Sequence, residues 1–155
     1  MGPISAEAEI DVPRQHAFEM LGDLAARPSF TDHFLSSFHL TRIEAAGVGA
    51  GARFRVEAPL RSVWMDTTVV ELEEPHLIVE RGRGGRGNRI RNHTVWELTE
   101  GPGSLTVVRV SHWTEPGAVD RALELLSAGS FWQQRSWREA LRRLCLLYTS
   151  PSPRD

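Results

Sequence analysis

Lysine is missing from this chain: all 18 of its basic residues are Arg. That usage fits a GC-rich, bacterial coding bias better than any mechanism. Cysteine is nearly missing too, and a lone Cys145 excludes an internal disulfide framework. Apolar runs are only a few residues long, so no segment is expected to span a bilayer as a helix. The opening Met1-Gly2-Pro3-Ile4-Ser5 has neither a basic n-region nor an apolar h-region, so no secretory signal and a cytoplasmic location are expected. The formal net charge of −2 gives no global pull toward nucleic acid or anionic lipid. There is no Gly-x-Ser-x-Gly, paired cysteine or carboxylate dyad, so nucleophilic catalysis has no support. His16, His33, His39, His76 and His93 show no metal-site spacing with a carboxylate or cysteine. Neither a metal nor a cofactor is expected.

What is present is ordinary in amount and informative in order. Hydrophobic residues make up 41% and charged residues 25% of 155, which fits one folded domain and excludes wholesale disorder. Ile4, Ala6, Ala8 and Ile10 alternate with Ser5, Glu7, Glu9 and Asp11, the period of a half-buried strand. Pro13 then presets a helix start, followed by Ala17, Phe18, Met20, Leu21 and Leu24 at helical spacing. After Pro28 a second short helix is predicted, carrying Phe30, Phe34, Leu35 and Phe38.

From about 39 to 114 the pattern is strand and turn, repeated: 39–45, 52–58, 62–73, 76–82, 90–98 and 105–114, separated by Gly- and Pro-rich gaps. No helix is interleaved, so a parallel nucleotide-binding sheet is excluded. After Pro116-Gly117 the period turns helical, with Val119, Leu123, Leu126, Phe131, Trp137, Leu141 and Leu144 roughly on one stripe and a bend expected at Gly129. Residues 145–155 are not expected to continue that helix, because Pro151 and Pro153 forbid it. That end reads as a tail foreign to the domain, giving a division into a domain at 1–145 and a tail at 146–155.

A curved antiparallel sheet has a face that must be covered, and the long terminal helix is large enough to do it. The space between them is then hard to fill, and a cavity is the expected result. The predicted fold is α+β: a curved antiparallel sheet of about seven strands wrapped around a long C-terminal helix, with two short helices after the first strand.

That order resembles the helix-grip fold of the START-like (SRPBCC) superfamily, and within it the bacterial polyketide cyclase/dehydrase and lipid-transport group. Four stretches carry the resemblance. They are Ile10-Asp11-Val12-Pro13 leading to Ala17-Phe18 and Asp23; Gly47-Val48-Gly49-Ala50-Gly51 before Arg53-Phe54; Val70-Glu71-Leu72-Glu73-Glu74-Pro75; and Trp96-Glu97-Leu98 before Gly103. Ala140-Leu141-Arg142-Arg143-Leu144 also fits. The resemblance implies binding of a hydrophobic small molecule and transfers no catalytic set.

Candidate site residues follow from strand parity. Counting back by two from Leu98 places Trp96, Thr94, Asn92 and Ile90 inward; counting back from Leu72 places Val70, Thr68, Asp66 and Trp64 inward. The opposite parity of the second strand, Val63, Met65, Thr67 and Val69, is as apolar and stays open. With Val108 and Val110 inward, His112 enters the cavity and Arg109 leaves it; with Val107 inward, Arg109 and Trp113 enter instead. An inward Asp66 would have a raised pKa and could act as acid or base; His112 could shuttle protons, although a satisfied rim histidine is the more ordinary reading. The expected ligand-binding set is Phe34, Phe54, Trp64, Asp66, Thr68, Asn92, Thr94, Trp96, Val110, His112 and Phe131.

Arg81 to Arg91 holds five arginines and no acid in eleven residues. Its Gly82, Gly84 and Gly87 spell G-x-G-x-x-G, yet a strand follows, so the dinucleotide reading fails. An anion-binding lid, RNA contact and a solvated hairpin all remain; RNA suffers from the lack of an interleaved aromatic. Binding of a lipid-, polyketide- or aromatic-like molecule ranks first, a cyclase or dehydratase second, and macromolecular contact through the arginine hairpin last.

Overall fold

The structure is a computed structural model that describes residues 4–59, 61–103, 105–115 and 129–149. Seven strands form one antiparallel sheet: β1 (Ile4–Ile10), β2 (Leu35–Leu40), β3 (Gly51–Glu57), β4 (Ser62–Glu73), β5 (Leu77–Gly84), β6 (Ile90–Glu100) and β7 (Thr106–Glu115). The order is β1-β7-β6-β5-β4-β3-β2, a meander closed by pairing of the first strand with the last. Helices α1 (Arg14–Gly22) and α2 (Pro28–Thr31), with a 3-10 turn at Leu24–Ala26 between them, connect β1 to β2. Helix α3 (Gly129–Thr149) packs against β1 and α2. This is the predicted α+β helix-grip architecture.

Alternation does most of the work. On β6, Ile90, Asn92, Thr94, Trp96 and Leu98 are buried; on β7, Thr106, Val108, Val110, His112 and Thr114 are. Their register, Thr94↔His112 and Trp96↔Val110, brings the two inward rows side by side. Helix α3 lays Trp137, Ala140, Leu141 and Leu144 into the core, and the Trp137 ring meets Trp96 edge-on at 5.7 Å. Phe30 and Phe34 close one end, the latter edge-on to Trp137 at 5.1 Å.

Three local expectations are corrected. Residues 35–40 are strand, and α2 stops at Thr31, so Leu35 and Phe38 lie on β2 and not on a helix. The expected strand at 39–45 is accordingly displaced toward the N-terminus. Helix α3 runs on through Cys145 to Thr149. Pro151 restricts only the residue directly before it unless it is itself helical, which leaves the chain through Thr149 free to be helix. The stretch expected to bear Val119, Leu123 and Leu126 lies outside the described residues, and Gly129, where a bend was expected, is the first described residue of α3.

Strand β4 holds the most consequential irregularity. Thr68 pairs with Arg81 and Val69 with Glu80, but Glu71 pairs with Val79 and Leu72 with Ile78. Val70 is thus an extra residue, a bulge that reverses the parity upstream of it. Leu72 and Val69 both face the core, and so do Met65 and Thr67, whereas Trp64 is 40% exposed and Val70 42%.

Candidate functional site

Between the sheet and α3 lies a cavity. Its walls are Phe34, Leu35, Phe54, Val56, Val63, Met65, Ile90, Trp132 and Trp137, its mouth includes Ala58, Arg61 and Gln133, and its polar lining is Arg27, Thr67, Glu80, Asn92, Thr94, His112 and Thr114. The volume open to the centre of a water molecule is about 70 Å³; all empty space, counting open solvent at the mouth, is about 870 Å³. The smaller figure is room for about five waters, below the ~150 Å³ that accommodates benzene in a dry engineered cavity. A guest larger than that requires the mouth to widen.

The polar lining is built as a row across neighbouring strands. Glu80 pairs in register with Thr94, and Thr94 with His112. Glu80 is 1% exposed and faces Arg27, 3% exposed, which enters from the turn before Pro28. Arg27 Nη1 donates to Glu80 Oε1 at 3.2 Å and Nη2 to Oε2 at 2.7 Å. Thr67 Oγ1 donates to Oε1 at 3.1 Å and Trp96 Nε1 to Oε2 at 3.0 Å, so both carboxylate oxygens carry two donors. Arg27 Nη2 also donates to the Leu21 carbonyl at 3.2 Å, and its guanidinium lies 5.0 Å from the Trp96 ring centre. The pair is charge-neutral and nearly saturated; Arg27 Nε, buried, has no acceptor among the described residues. Such a pair is costly to bury and more costly to break.

His112 Nδ1 and Thr94 Oγ1 share a hydrogen bond of 2.9 Å, and the imidazole lies 5.8 Å from the Trp137 ring. Burial pushes the His112 pKa down to about 4, with the nearby Glu80 carboxylate opposing and His93 adding to the fall. At neutral pH the ring is uncharged. Asn92 serves a structural end: its Nδ2 donates to the Asp66 carbonyl at 3.0 Å, reaching past Gly82, its partner on β5. A Cβ on Gly82 would sit 1.8 Å from that same Asp66 oxygen, so only glycine permits this approach.

Phe34, Phe54, Asn92, Thr94 and His112 of the expected set line the cavity. Trp96 and Val110 are fully buried beneath it, Trp96 acting through Glu80. Trp64, Asp66 and Thr68 are not inward, because the bulge at Val70 reverses the count from Leu72. The Asp66 carboxylate instead accepts the Arg83 backbone N–H at 2.9 Å on the outer face. Phe131 is 70% exposed, and Trp132 lines the cavity in its place. There the Trp132 ring meets Phe34 edge-on at 6.1 Å. Arg27 and Glu80 are absent from the expected set. Glu80 was legible, since it stands two residues from Ile78, the start of an inward row; Arg27 sits in a turn and carries no periodic signal.

Fold and cavity together define a helix-grip domain of the kind that holds hydrophobic ligands. The chain belongs to the polyketide cyclase / dehydrase and lipid transport family, whose pattern matches residues 1–145. No curated protein matches the sequence. Among solved structures, TTHA0849 from Thermus thermophilus superposes with a TM-score of 0.72 at 17% identity, covering 97% of this chain and 100% of that one. DR_A0006 from Deinococcus radiodurans gives 0.65 at 19% identity, covering 97% and 100%. The major latex-like protein 151 of Panax ginseng gives 0.68 at 12% identity, covering 96% and 97%. At these identities the likeness is one of fold. Among the described residues no helix is long and apolar enough to cross a membrane.

Proposed function

We propose that the chain is a binding or carrier module for an uncharged, largely apolar small molecule held between the sheet and α3. The observation that carries this reading is the lining: aromatic and aliphatic walls over a floor where the buried ion pair, Arg27 with Glu80, is internally neutralised. A guest with a charged inner end would find no spare countercharge on that floor and would forfeit its hydration. A hydroxyl or carbonyl oxygen, by contrast, can meet the neutral His112 ring or Arg27 Nε. The tail beyond residue 145 has no part in this reading, which treats residues 1–145 as the working unit.

The test is direct. Native mass spectrometry of the expressed protein is expected to show a co-purifying organic mass, and 1-naphthol is expected to bind more tightly than 1-naphthoate at pH 7. Phe34→Ala should change naphthol affinity, and Phe131→Ala should not. Equal affinity for the two probes, or no binding of either, overturns the proposal.

A second reading, cyclisation or dehydration of a reactive chain, is favoured by the Thr94–His112 pair at the cavity floor. Confinement and orientation would supply most of the rate. A histidine with a pKa of about 4 is a weak base at neutral pH, which is why binding ranks ahead of turnover. Loss of product formation in His112→Gln with unchanged naphthol binding would reverse that ranking.

A further inference from the structure

The cavity leaves the arginine-rich segment 81–91 unused. Its glycines have structural causes. Gly82 and Gly84 face β4 so closely that a Cβ would fall 1.8 Å from Asp66 O and 2.3 Å from Met65 Cγ; Gly85 and Gly87 have φ of 73° and 68°. Three of its arginines have none. Arg81 and Arg83 on β5 and Arg91 on β6 are exposed, and none has an ion-pair partner among the described residues. Arg83 stands directly opposite Arg91, a like-charge cross-strand pair that disfavours the sheet.

Folding adds what the linear segment lacks. Trp64 on β4 is on the same outer face, 40% exposed, with the Arg53 guanidinium 5.4 Å from its ring centre. Arg53 pairs in register with Asp66, whose carboxylate is held by the Arg83 backbone N–H. Arg81 pairs with His93, which stacks on Trp113 at 5.0 Å and 12°. The acids among these arginines are Asp66 and Glu115, the latter opposite Arg91 and 3.4 Å from His93 Nε2; Glu57, at the end of β3, is ion-paired with Arg55, and Glu71, Glu73 and Glu97 lie toward the other end of the same face. Four arginines thus surround flat rings on the side of the sheet away from the cavity, on a chain whose net charge is −2.

We infer that this outer face is a second binding site, for single-stranded nucleic acid, with Arg53, Arg81, Arg83 and Arg91 on phosphates and Trp64 as a stacking platform. Cations tracking a backbone beside aromatic faces are what sequence-tolerant single-strand binding requires. An anionic bilayer is a poorer fit, because Trp64 and Val70 are the only large apolar side chains notably exposed on this face among the described residues, and a lipid surface rewards more insertion than that.

Fluorescence anisotropy of the full chain with labelled U20 RNA, T20 DNA and a 20-base-pair duplex reads this out, with phosphatidylcholine/phosphatidylglycerol vesicles as the competing arm. Four phosphate contacts predict a single-strand affinity that falls about 50-fold between 50 and 200 mM salt. Arg83→Ala with Arg91→Ala should halve the logarithmic salt slope. Trp64→Ala should weaken binding roughly tenfold and leave the slope unchanged. Stronger RNA than DNA binding would assign the natural strand to RNA, and the reverse to DNA. No single-strand binding at 50 mM salt, an unchanged slope in the double variant, or vesicle binding with the same arginine dependence overturns the inference. Naphthol binding in the cavity should persist in every variant, which reports folding independently.

Discussion

Replacing Glu80 by Gln keeps the shape of the side chain and removes its charge, so it isolates what the buried ion pair contributes. In the parent, each carboxylate oxygen accepts two donors, one from Arg27 and one from Thr67 or Trp96. In Glu80→Gln one of those positions becomes an NH2 group facing two donors, and the Arg27 cation is left buried without a counter-ion. Breaking a buried pair from one side costs about 3–5 kcal/mol, a large part of a total stability of about 5–15 kcal/mol. For a chain of this size that is a fall in Tm of roughly 10 °C or more. Urea unfolding followed by tryptophan fluorescence measures it, because Trp96 and Trp137 are both buried. The companion Arg27→Met with Glu80→Leu removes more hydrogen bonds but leaves no unpaired charge, and it should be more stable than Glu80→Gln alone. If Glu80→Gln lies within about 1 kcal/mol of the parent, or the double replacement is the weaker protein, the pair is not held in the desolvated state the structure describes.

Acid should weaken the fold through His112. Its pKa is about 4 in the folded chain, below the ordinary value of 6.5, so the unfolded state takes up the proton first. The penalty begins as pH falls below 6.5, grows by at most about 1.4 kcal/mol per pH unit, and levels off near 4 at about 3 kcal/mol. His33, also lowered by burial, adds in the same direction. Urea midpoints from pH 7 to 4 should decline in the parent and decline less in His112→Gln; identical slopes would contradict the burial of this ring. Gly82→Ala should lose at least ~2 kcal/mol or fail to fold, since its Cβ meets backbone. Gly101→Ala meets nothing nearer than 3.3 Å and should change stability far less, as a thermal melt of the two variants would reveal.

The architecture was readable because each element announces itself locally. Period-two alternation gives β1, β6 and β7, glycine and proline mark the turns, and a helical stripe ends the chain. The site was readable only where parity could be counted without interruption. Leu98 leads back to Trp96, Thr94 and Asn92 along an unbroken β6, and all three are buried. The same count from Leu72 crosses Val70, and a bulge leaves no mark in a segment whose two faces are equally apolar. Phe131 was misplaced because the stripe around Trp137 does not say which aromatic of the helix's first turn meets the cavity, and it is the neighbouring Trp132 that does. Arg27 depends on a partner 53 residues away, and only the folded chain brings the two together.

The odd residue in β4 gives the chain a spare link. With Val70 excised, Val69 could stay beside Glu80 and Leu72 beside Ile78, so every neighbour would keep its side of the sheet. Excising Val69 gives the same sequence, but excising Asp66, Thr67 or Thr68 with the bulge kept would turn over the part of the strand that precedes the cut, swinging Trp64 into the hollow and Met65 into water. One-residue deletions along β4 should therefore be lethal to folding everywhere except at the place where the strand already counts one too many.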